Sequence, residues 1–473
     1  MGKLKHILAI VPTGFLSKST GSFHSGNLAA PILRSLTPRD VKITLIDEQL
    51  GGKIPWNTDA EMVLLVSVIT SAAPKAYRIA NIFKKKGKVV GMGGPHPSVD
   101  PKEVLEFADF VGIGELEGYW SNILKDFEKG KLKKMYKNTK HIDLATLPYP
   151  DRRIIQNMKK KGHKKEYLFT TVTYTTRGCP YNCSFCTVTN IFGSRYRLRP
   201  VRDVVDDLKK YYGGLRKFGF ILFVDDNIWA VPRYAKELFR ALIKEKIRLK
   251  WLSQASLHQA SDLELLKLAK KAGCAALFIG YESVTPESLN EASKKVNDVG
   301  KFKKLTKNIH EAGMLVIGSF VLGFDHDTIE SIKATVKFAV EANIDYAEFC
   351  ILTPFYNTVS YDKMKKEGRM FIDGAGGGKF HDNWSFYTFT NVVFKPKNFT
   401  PEELKKWQVW AYTKFHGFRS LMIRLTGWLR HYPFYAPFLW FFNMFERPRL
   451  QDTFDTLRKE IRKWEKKNNI KGY

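Results

Sequence analysis

The chain has 473 residues, 44% hydrophobic and 26% charged, with a formal net charge of +30 from 77 Lys+Arg against 47 Asp+Glu. That length suits two or three domains with buried cores, and the composition excludes a disordered or fibrous chain. Five cysteines, three of them between Cys179 and Cys186, exclude a secreted disulfide framework, and no run reaches the roughly 18–20 apolar residues of a membrane span.

The N-terminal stretch Met1–Ile10 lacks a cleavage-site pattern and reads as a first strand, so a cytoplasmic protein is expected. The positive field attracts anionic partners, either nucleic acid or an anionic membrane surface. The same charge also reads as a Lys-rich solvated surface, because it is spread along the chain.

Residues 1–130 alternate apolar runs with helix-like segments. Lys5–Val11, Val41–Ile46, Met62–Val68, Lys88–Met92 and Asp109–Ile113 read as strands, with helices at Pro74–Lys86 and Pro101–Phe107. This pattern predicts a doubly wound parallel sheet, an α/β fold whose ligands lie beyond the carboxyl ends of the strands. Three turns fall there: Ser67 to Thr70; Gly93, Gly94 and His96; and Gly114 with Glu115. Each also reads as an ordinary βα turn. The first domain is expected over 1–135 and a linker over 136–165, where Gly130–Lys140 is polar and Leu147–Asp151 carries prolines.

A second alternating block spans 166–365. Its strands read as Tyr167–Thr175, Phe218–Val224, Lys250–Ser256, Ala275–Gly280, Leu315–Leu322 and Tyr346–Leu352. Six βα units without return hairpins predict a partial (β/α)6 barrel with its chemistry at the C-terminal strand ends. Residues 366–473 form a mostly helical C-terminal region. It opens on the glycine-rich Asp373–Lys379 and contains Phe434–Phe445 (FYAPFLWFFNMF), flanked by Arg419, Arg424, Arg430, Arg447 and Arg449.

Directly after the first strand of the second block, Cys179, Cys183 and Cys186 form a CxxxCxxC loop. Thiolates at this spacing suit an iron–sulfur cluster or zinc. Three ligands leave one iron of a 4Fe–4S cluster open for a cofactor, whereas structural zinc takes four ligands, and no nearby histidine has finger spacing. Cys274 and Cys350 lie far off in sequence and read as core cysteines, with Cys350 a less favoured candidate hydrogen donor.

With Phe185 before the third cysteine, the loop resembles the signature of the radical S-adenosylmethionine (radical SAM) superfamily, and the resemblance extends over Tyr167–Tyr361. It implies a 4Fe–4S cluster on the three cysteines, S-adenosylmethionine on the open iron, and a 5′-deoxyadenosyl radical that abstracts hydrogen. Asp225 and Asp226 match the methionine-binding element and Ser256 ends the third strand. Glu282 stands where a polar residue meets the ribose, and Gly318 lies in the strand bordering the adenine. Read without the resemblance, the aspartates suit a helix N-cap and Glu282 a surface position. An electron donor such as flavodoxin or ferredoxin is implied.

The first block, with Gly93, Gly94, His96, Gly114 and Glu115, resembles the cobalamin-binding domain fused to one radical SAM subgroup. That implies cobalamin as a further cofactor and includes Ser67 and Thr70 among its contacts. The DxHxxG motif that supplies a histidine to cobalt is absent, so no cobalt ligand can be named.

Three functions stand. The first is a cobalamin-dependent methylase of an unactivated carbon in an apolar, lipid- or tetrapyrrole-like small molecule. The second is a non-methylating radical SAM oxidoreductase, cyclase or carbon–carbon bond-forming enzyme of lipid or cofactor biosynthesis. The third is a non-catalytic cobalamin or iron–sulfur sensor. The C-terminal aromatics read either as a buried layer closing the barrel mouth or as a membrane interface, which would place the protein peripherally on the inner face of the cell membrane. Asn383, Trp384 and His381 read as lining a substrate entrance. Nucleic acid is not expected as a partner, because no RNA-binding module is recognisable.

Overall fold

The structure is a computed structural model that describes residues 3–14, 27–138, 140–165, 172–212, 220–247, 249–371 and 383–444. Its chain forms two compact units. The first comprises Met1–Tyr174, Thr187–Gly214 and Lys379–Phe386, and the second Thr175–Cys186, Leu215–Gly378 and Tyr387–Tyr473. The first unit thus takes in the stretch read as a linker and recruits two later segments.

In the first unit, β1 (His6–Val11), β2 (Lys42–Asp47), β3 (Met62–Leu65), β4 (Val89–Gly93), β5 (Phe110–Ile113) and β6 (Met135–Lys137) form one sheet in the order β2-β1-β3-β4-β5-β6. All neighbours are parallel. Every residue of β1 is buried, which is why it reads as an unbroken apolar run. Ile7 and Ala9 face a core with Leu33, Trp120 and Phe127, whereas Leu8 and Ile10 face another with Tyr77, Ile79 and Phe83. The last three belong to α1 (Ala73–Lys85), which lies close to the expected bounds. The helix expected over 101–107 ends early, at Pro101–Val104, with Asp100 capping it, and a further short helix not expected from the sequence, Pro95–Val99, precedes it. Strand β6 lies within the stretch read as polar linker.

In the second unit, β7 (Phe220–Phe223), β8 (Lys250–Ala255), β9 (Cys274–Glu282), β10 (Leu315–Leu322) and β11 (Tyr346–Ile351) pair in parallel in sequence order. Helices Pro232–Lys244, Leu263–Lys271, Phe302–Glu311 and Ile329–Glu341 return the chain between them. The helix-facing side is aromatic: Tyr281 stacks on Phe320 and Phe320 on Phe349, with Phe302 and Phe338 against them. Of the strand expected over 167–175, residues 166–171 lie outside the described ones, and Val172–Thr173 is extended.

The open edge of β11 is covered by α2 (Pro401–Phe415). Buried Gln408 donates from Nε2 to the carbonyls of Phe349 (2.8 Å) and Phe389 (3.2 Å), and the Tyr412 hydroxyl accepts from Phe349 N at 3.1 Å. Side chains here replace the missing neighbouring strand, which removes a pairing hazard. Gln408→Leu is expected to leave the Phe349 carbonyl unpaired and to destabilise the second unit by about 1–3 kcal/mol, measured as a fall in Tm or in the denaturant midpoint.

Behind it, α3 (Phe418–His431) packs at the N-terminal strand ends. Trp428 Nε1 donates to Asp345 Oδ1 at 2.7 Å, and the Tyr432 hydroxyl donates to the carbonyl of Met314. Asp345 and Met314 immediately precede β11 and β10. Arg424, expected to flank an interface, is instead fully buried. It donates to the carbonyls of Ile344, Asp345 and Phe415 and lies 3.9 Å over the Phe415 ring. The C-terminal helices therefore close the end of the strands opposite to the expected barrel mouth. The glycine-rich stretch 373–379 and His381 lie outside the described residues.

Candidate active site

The cysteine loop belongs wholly to the second unit and is fixed at its start by one carboxylate. Asp225, at the carboxyl end of β7, is buried and accepts from both residues that open the loop. Thr175 donates from N (2.9 Å) and Oγ1 (2.7 Å), and Thr176 from Oγ1 (2.6 Å) and from its backbone N. Burial pushes the Asp225 pKa up, against the pull of these four donors. Farther along, Ser184 N donates to the carbonyl of Ala292 at 3.1 Å and Ser184 Oγ to that of Glu291 at 2.9 Å. The loop is held from both sides of the sheet's carboxyl end.

Cys179, Cys183 and Cys186 form no disulfide and are half-buried within this frame. Burial raises the Cys179 and Cys183 pKa values, and Asp226 adds to the effect on Cys179. Among the described residues no three His, Cys, Asp or Glu side chains converge closely enough to hold a single metal ion. Three thiols on one loop can each bind a separate iron, whereas a structural zinc needs a fourth ligand. The donor set therefore fits a 4Fe–4S cluster with an open iron.

Around the loop lie four further groups. Asp226 is pushed up to about 7, first by burial and then by Asp225. Ser256 accepts from Asn227 Nδ2 at 2.8 Å. Tyr181, inside the loop, has its hydroxyl 3.2 Å from His258 Nε2. Glu282 ends β9 in the left-handed region, at φ 64°, and accepts from Lys294 Nζ at 2.8 Å. A non-glycine residue held there carries strain of the kind stored at functional sites.

Lys294 carries no motif, yet it is the electrostatic centre of this end. Its own pKa is raised by Glu282, Cys183 and Cys179 despite burial, and it lowers those of Cys183 and His258. A half-buried cation beside Cys179 and Cys183 favours their ionised forms, against the burial that raises both. Sequence reasoning missed it, as it missed Tyr181 and His258; the only local signal was their position just behind strands that carry site residues.

Gly318 lies on the helix side of β10, where an added Cβ would meet Ile344, Phe320 and Tyr281 at 3.1–3.3 Å. Its missing side chain is used by packing. The opposite side presents Ser319, Glu348 and Cys350, all half-buried. Burial raises the Cys350 pKa, and Glu348 raises it further. Cys274 is fully buried and far above the ordinary thiol range, so it is inert.

In the first unit the three expected turns do meet at the carboxyl edge of β3, β4 and β5. Val68 N donates to the carbonyl of Gly93 at 3.1 Å, and His96 N to that of Val68 at 2.9 Å. Gly94 has φ 133°, and a Cβ there would lie 2.4 Å from Val68 N, so only glycine permits this contact. Ser67 is itself left-handed, at φ 54°, and Thr70 is buried in the following turn. A Cβ on Gly93 would meet only the Gly112 carbonyl, and one on Gly114 only that of Ile191. This floor, bare of side chains, fits the approach of a flat macrocycle.

Two expected cofactor residues of this unit are engaged internally. Glu115 pairs with Arg197 at 2.7 Å, both buried. His96 is fully buried, with Nε2 2.8 Å from the Tyr77 hydroxyl and Nδ1 without a partner. Trp384, read as lining a substrate entrance, is instead buried beside His96 and donates to Glu103 at 3.0 Å. In this arrangement His96 offers no exposed lone pair to a metal.

Comparison with known proteins bears on the same regions. Residues 173–339 match the radical SAM superfamily model. The bacteriochlorophyllide d C-12(1)-methyltransferase of Chlorobaculum tepidum is 29% identical over 437 residues, covering 91% of this chain and 92% of that one. The hopanoid C-2 methylase of Rhodopseudomonas palustris is 26% identical, covering 60% of this chain and 54% of that one. The solved structure of OxsB, a cobalamin-dependent S-adenosylmethionine radical enzyme, superposes with a TM-score of 0.68 at 14% identity, covering 96% of this chain and 72% of that one. A parallel sheet, then a second sheet opened by three spaced thiols, then a helical end, is the fold shared with that structure, and residues 173–339 form a radical SAM domain.

Proposed function

We propose that this enzyme is a cobalamin-dependent radical SAM methylase acting on an unactivated carbon of an apolar, tetrapyrrole- or lipid-like molecule. The observation that carries the reading is the pairing, in one chain, of the three-thiol loop with a glycine-floored carboxyl edge on a separate parallel sheet. Similarity to a tetrapyrrole methyltransferase along nearly the whole of both chains supports it.

When bound, the cluster with S-adenosylmethionine supplies a 5′-deoxyadenosyl radical for hydrogen abstraction, and cobalamin supplies the methyl group. The chain's own residues hold and orient. Cys179, Cys183 and Cys186 bind the cluster, Asp225 sets their loop, and Lys294 offsets negative charge at the thiols. Asp226, Ser256 and Glu282 would offer polar groups to S-adenosylmethionine beside the thiols, and Gly318 packs the strand behind them. Ser67, Thr70, Gly93, Gly94 and Gly114 form the floor for the corrin. A small electron carrier such as flavodoxin or ferredoxin reduces the cluster. An apolar substrate of this kind resides in membranes, so the reading includes peripheral contact with a membrane.

The test is anaerobic turnover of the reconstituted protein with reductant, S-adenosylmethionine, cobalamin and a bacteriochlorophyllide or hopanoid acceptor. Bound corrinoid in the spectrum and equal yields of 5′-deoxyadenosine and S-adenosylhomocysteine are expected. 5′-Deoxyadenosine without S-adenosylhomocysteine, from a protein that binds no corrinoid, would transfer the assignment to a non-methylating radical SAM enzyme.

A further inference from the structure

The C-terminal aromatics are neither all buried nor all exposed; the helices sort them. Leu421, Trp428, Tyr432, Ala436 and Leu439 turn inward and form one core. The other side of α3 turns Phe418, Met422 and Leu429 to solvent, spaced so that they share one face, with Ile423 beside them. Phe434, Tyr435, Phe438 and Phe441 continue that surface into the helix over 436–444. Phe434 is 94% exposed, and Phe418 and Phe438 are 67% and 66%. Single exposed apolar residues are ordinary, but a contiguous aromatic surface marks an interaction site.

The segment that carries this surface bears charge of one sign. Lys414, Arg419 and Arg430 are exposed on it, and no Asp or Glu occurs anywhere from Leu404 to Phe445. A second copy paired through the same segment would set these cations against their own equivalents. A partner that is both apolar and anionic matches. Aromatic rings with flanking arginines are what the boundary of an anionic bilayer accommodates. The chain would lie on it rather than cross it, because among the described residues no helix is long and apolar enough to span a membrane.

We propose that the outer face of α3 and of the helix over 436–444 docks on an anionic lipid bilayer, with Phe434 and Phe438 inserted and Arg419 and Arg430 at the headgroups. This deepens the membrane-contact part of the proposed function and rests on that part alone. Because these helices close the N-terminal ends of β10 and β11, docking keeps the cysteine loop, at the opposite strand ends, on the aqueous side, so an apolar substrate leaves the bilayer before it reacts. There a soluble electron carrier can reach it.

The experiment is co-sedimentation of the full reconstituted chain with phosphatidylcholine vesicles, with and without phosphatidylglycerol. Binding is expected only with phosphatidylglycerol and should weaken as salt is raised. Joint Phe434→Ser and Phe438→Ser should weaken it about a hundredfold, and joint Arg419→Glu and Arg430→Glu at least about tenfold. Tm and uncoupled 5′-deoxyadenosine formation should stay unchanged in both variants, since these side chains lie in solvent far from the loop. Wild-type protein that ignores anionic vesicles overturns the proposal, as does a dimer that the serine variant dissolves. Binding that appears only after residues 445–473 are deleted would assign the surface to that tail. Vesicle binding and product formation are read separately, so either can fail while the other stands.

Discussion

Replacing Cys179, Cys183 or Cys186 singly with alanine abolishes 5′-deoxyadenosine formation and lowers bound iron and sulfide to background. Each thiol holds a different corner of the proposed cluster, so two cannot keep it while leaving one iron free for S-adenosylmethionine. The loss should exceed the roughly 10–100-fold typical of removing a group that only supports a ligand. Cys274→Ala and Cys350→Ala are the controls. Cys274 is buried, and its thiol lies 3.6 Å from the Ala276 carbonyl. Cys350 lies on β11, away from the loop in sequence. Both variants should retain the cluster. Iron and sulfide content, low-temperature electron paramagnetic resonance of the reduced protein and product analysis decide it. Cleavage retained in any one of the three loop variants would remove the basis of the radical assignment.

The strands were legible because a parallel sheet buried on both faces leaves a continuous apolar run, as in Met62–Leu65 and His6–Val11. Strand β6 was not. It is three residues, Met-Tyr-Lys, of which only Tyr136 is buried, and on local pattern it reads as linker. The composition of the first unit was equally hidden. Of the later segments, 187–212 joins it through contacts such as Arg197 with Glu115, and 383–386 through Trp384 with Glu103. Local periodicity carries no trace of pairings across so many residues.

At the site, the cysteines were legible because their spacing is itself the chemistry. The role of Lys294 was not, since it is one basic residue among 77. What singles it out is the close of β9, where the register shifts between Gly280 and Glu282 and the Glu282 backbone turns left-handed. The irregularity accompanies a carboxylate paired with Lys294 beside the thiols. The C-terminal aromatics failed as a single unit for a similar reason. A run such as FYAPFLWFF does not say which rings face inward until the helix phase is known, and the phase puts Leu439 in and Phe438 out.

Asp225→Asn should cost the cluster before it costs S-adenosylmethionine. By position in the chain, Asp225 and Asp226 both fall where a cofactor contact is expected; by geometry they differ. Every contact found for the Asp225 carboxylate leads to Thr175 or Thr176, four and three residues before the first cysteine. The hydroxyls can rotate to suit an amide, but the two backbone N–H groups cannot. An asparagine can keep its oxygen in the place of Oδ1 with all four donors, but it loses the charge that strengthens those bonds, and its NH2 faces Thr175 N where Oδ2 accepted at 3.1 Å, a weakening of about 1–3 kcal/mol. The opening of the loop then loosens, and the thiols lose the spacing that the cluster needs. Bound iron should fall severalfold and Tm with it. Asp226→Asn is the contrasting variant. Burial and the neighbouring Asp225 already disfavour its charge, so a neutral amide is tolerated and iron should stay full. If Asp226 touches the cofactor, the KM for S-adenosylmethionine rises in that variant while iron is unchanged. Full iron with a raised KM in Asp225→Asn would instead place Asp225 on the cofactor and leave the loop anchored by Ser184 alone.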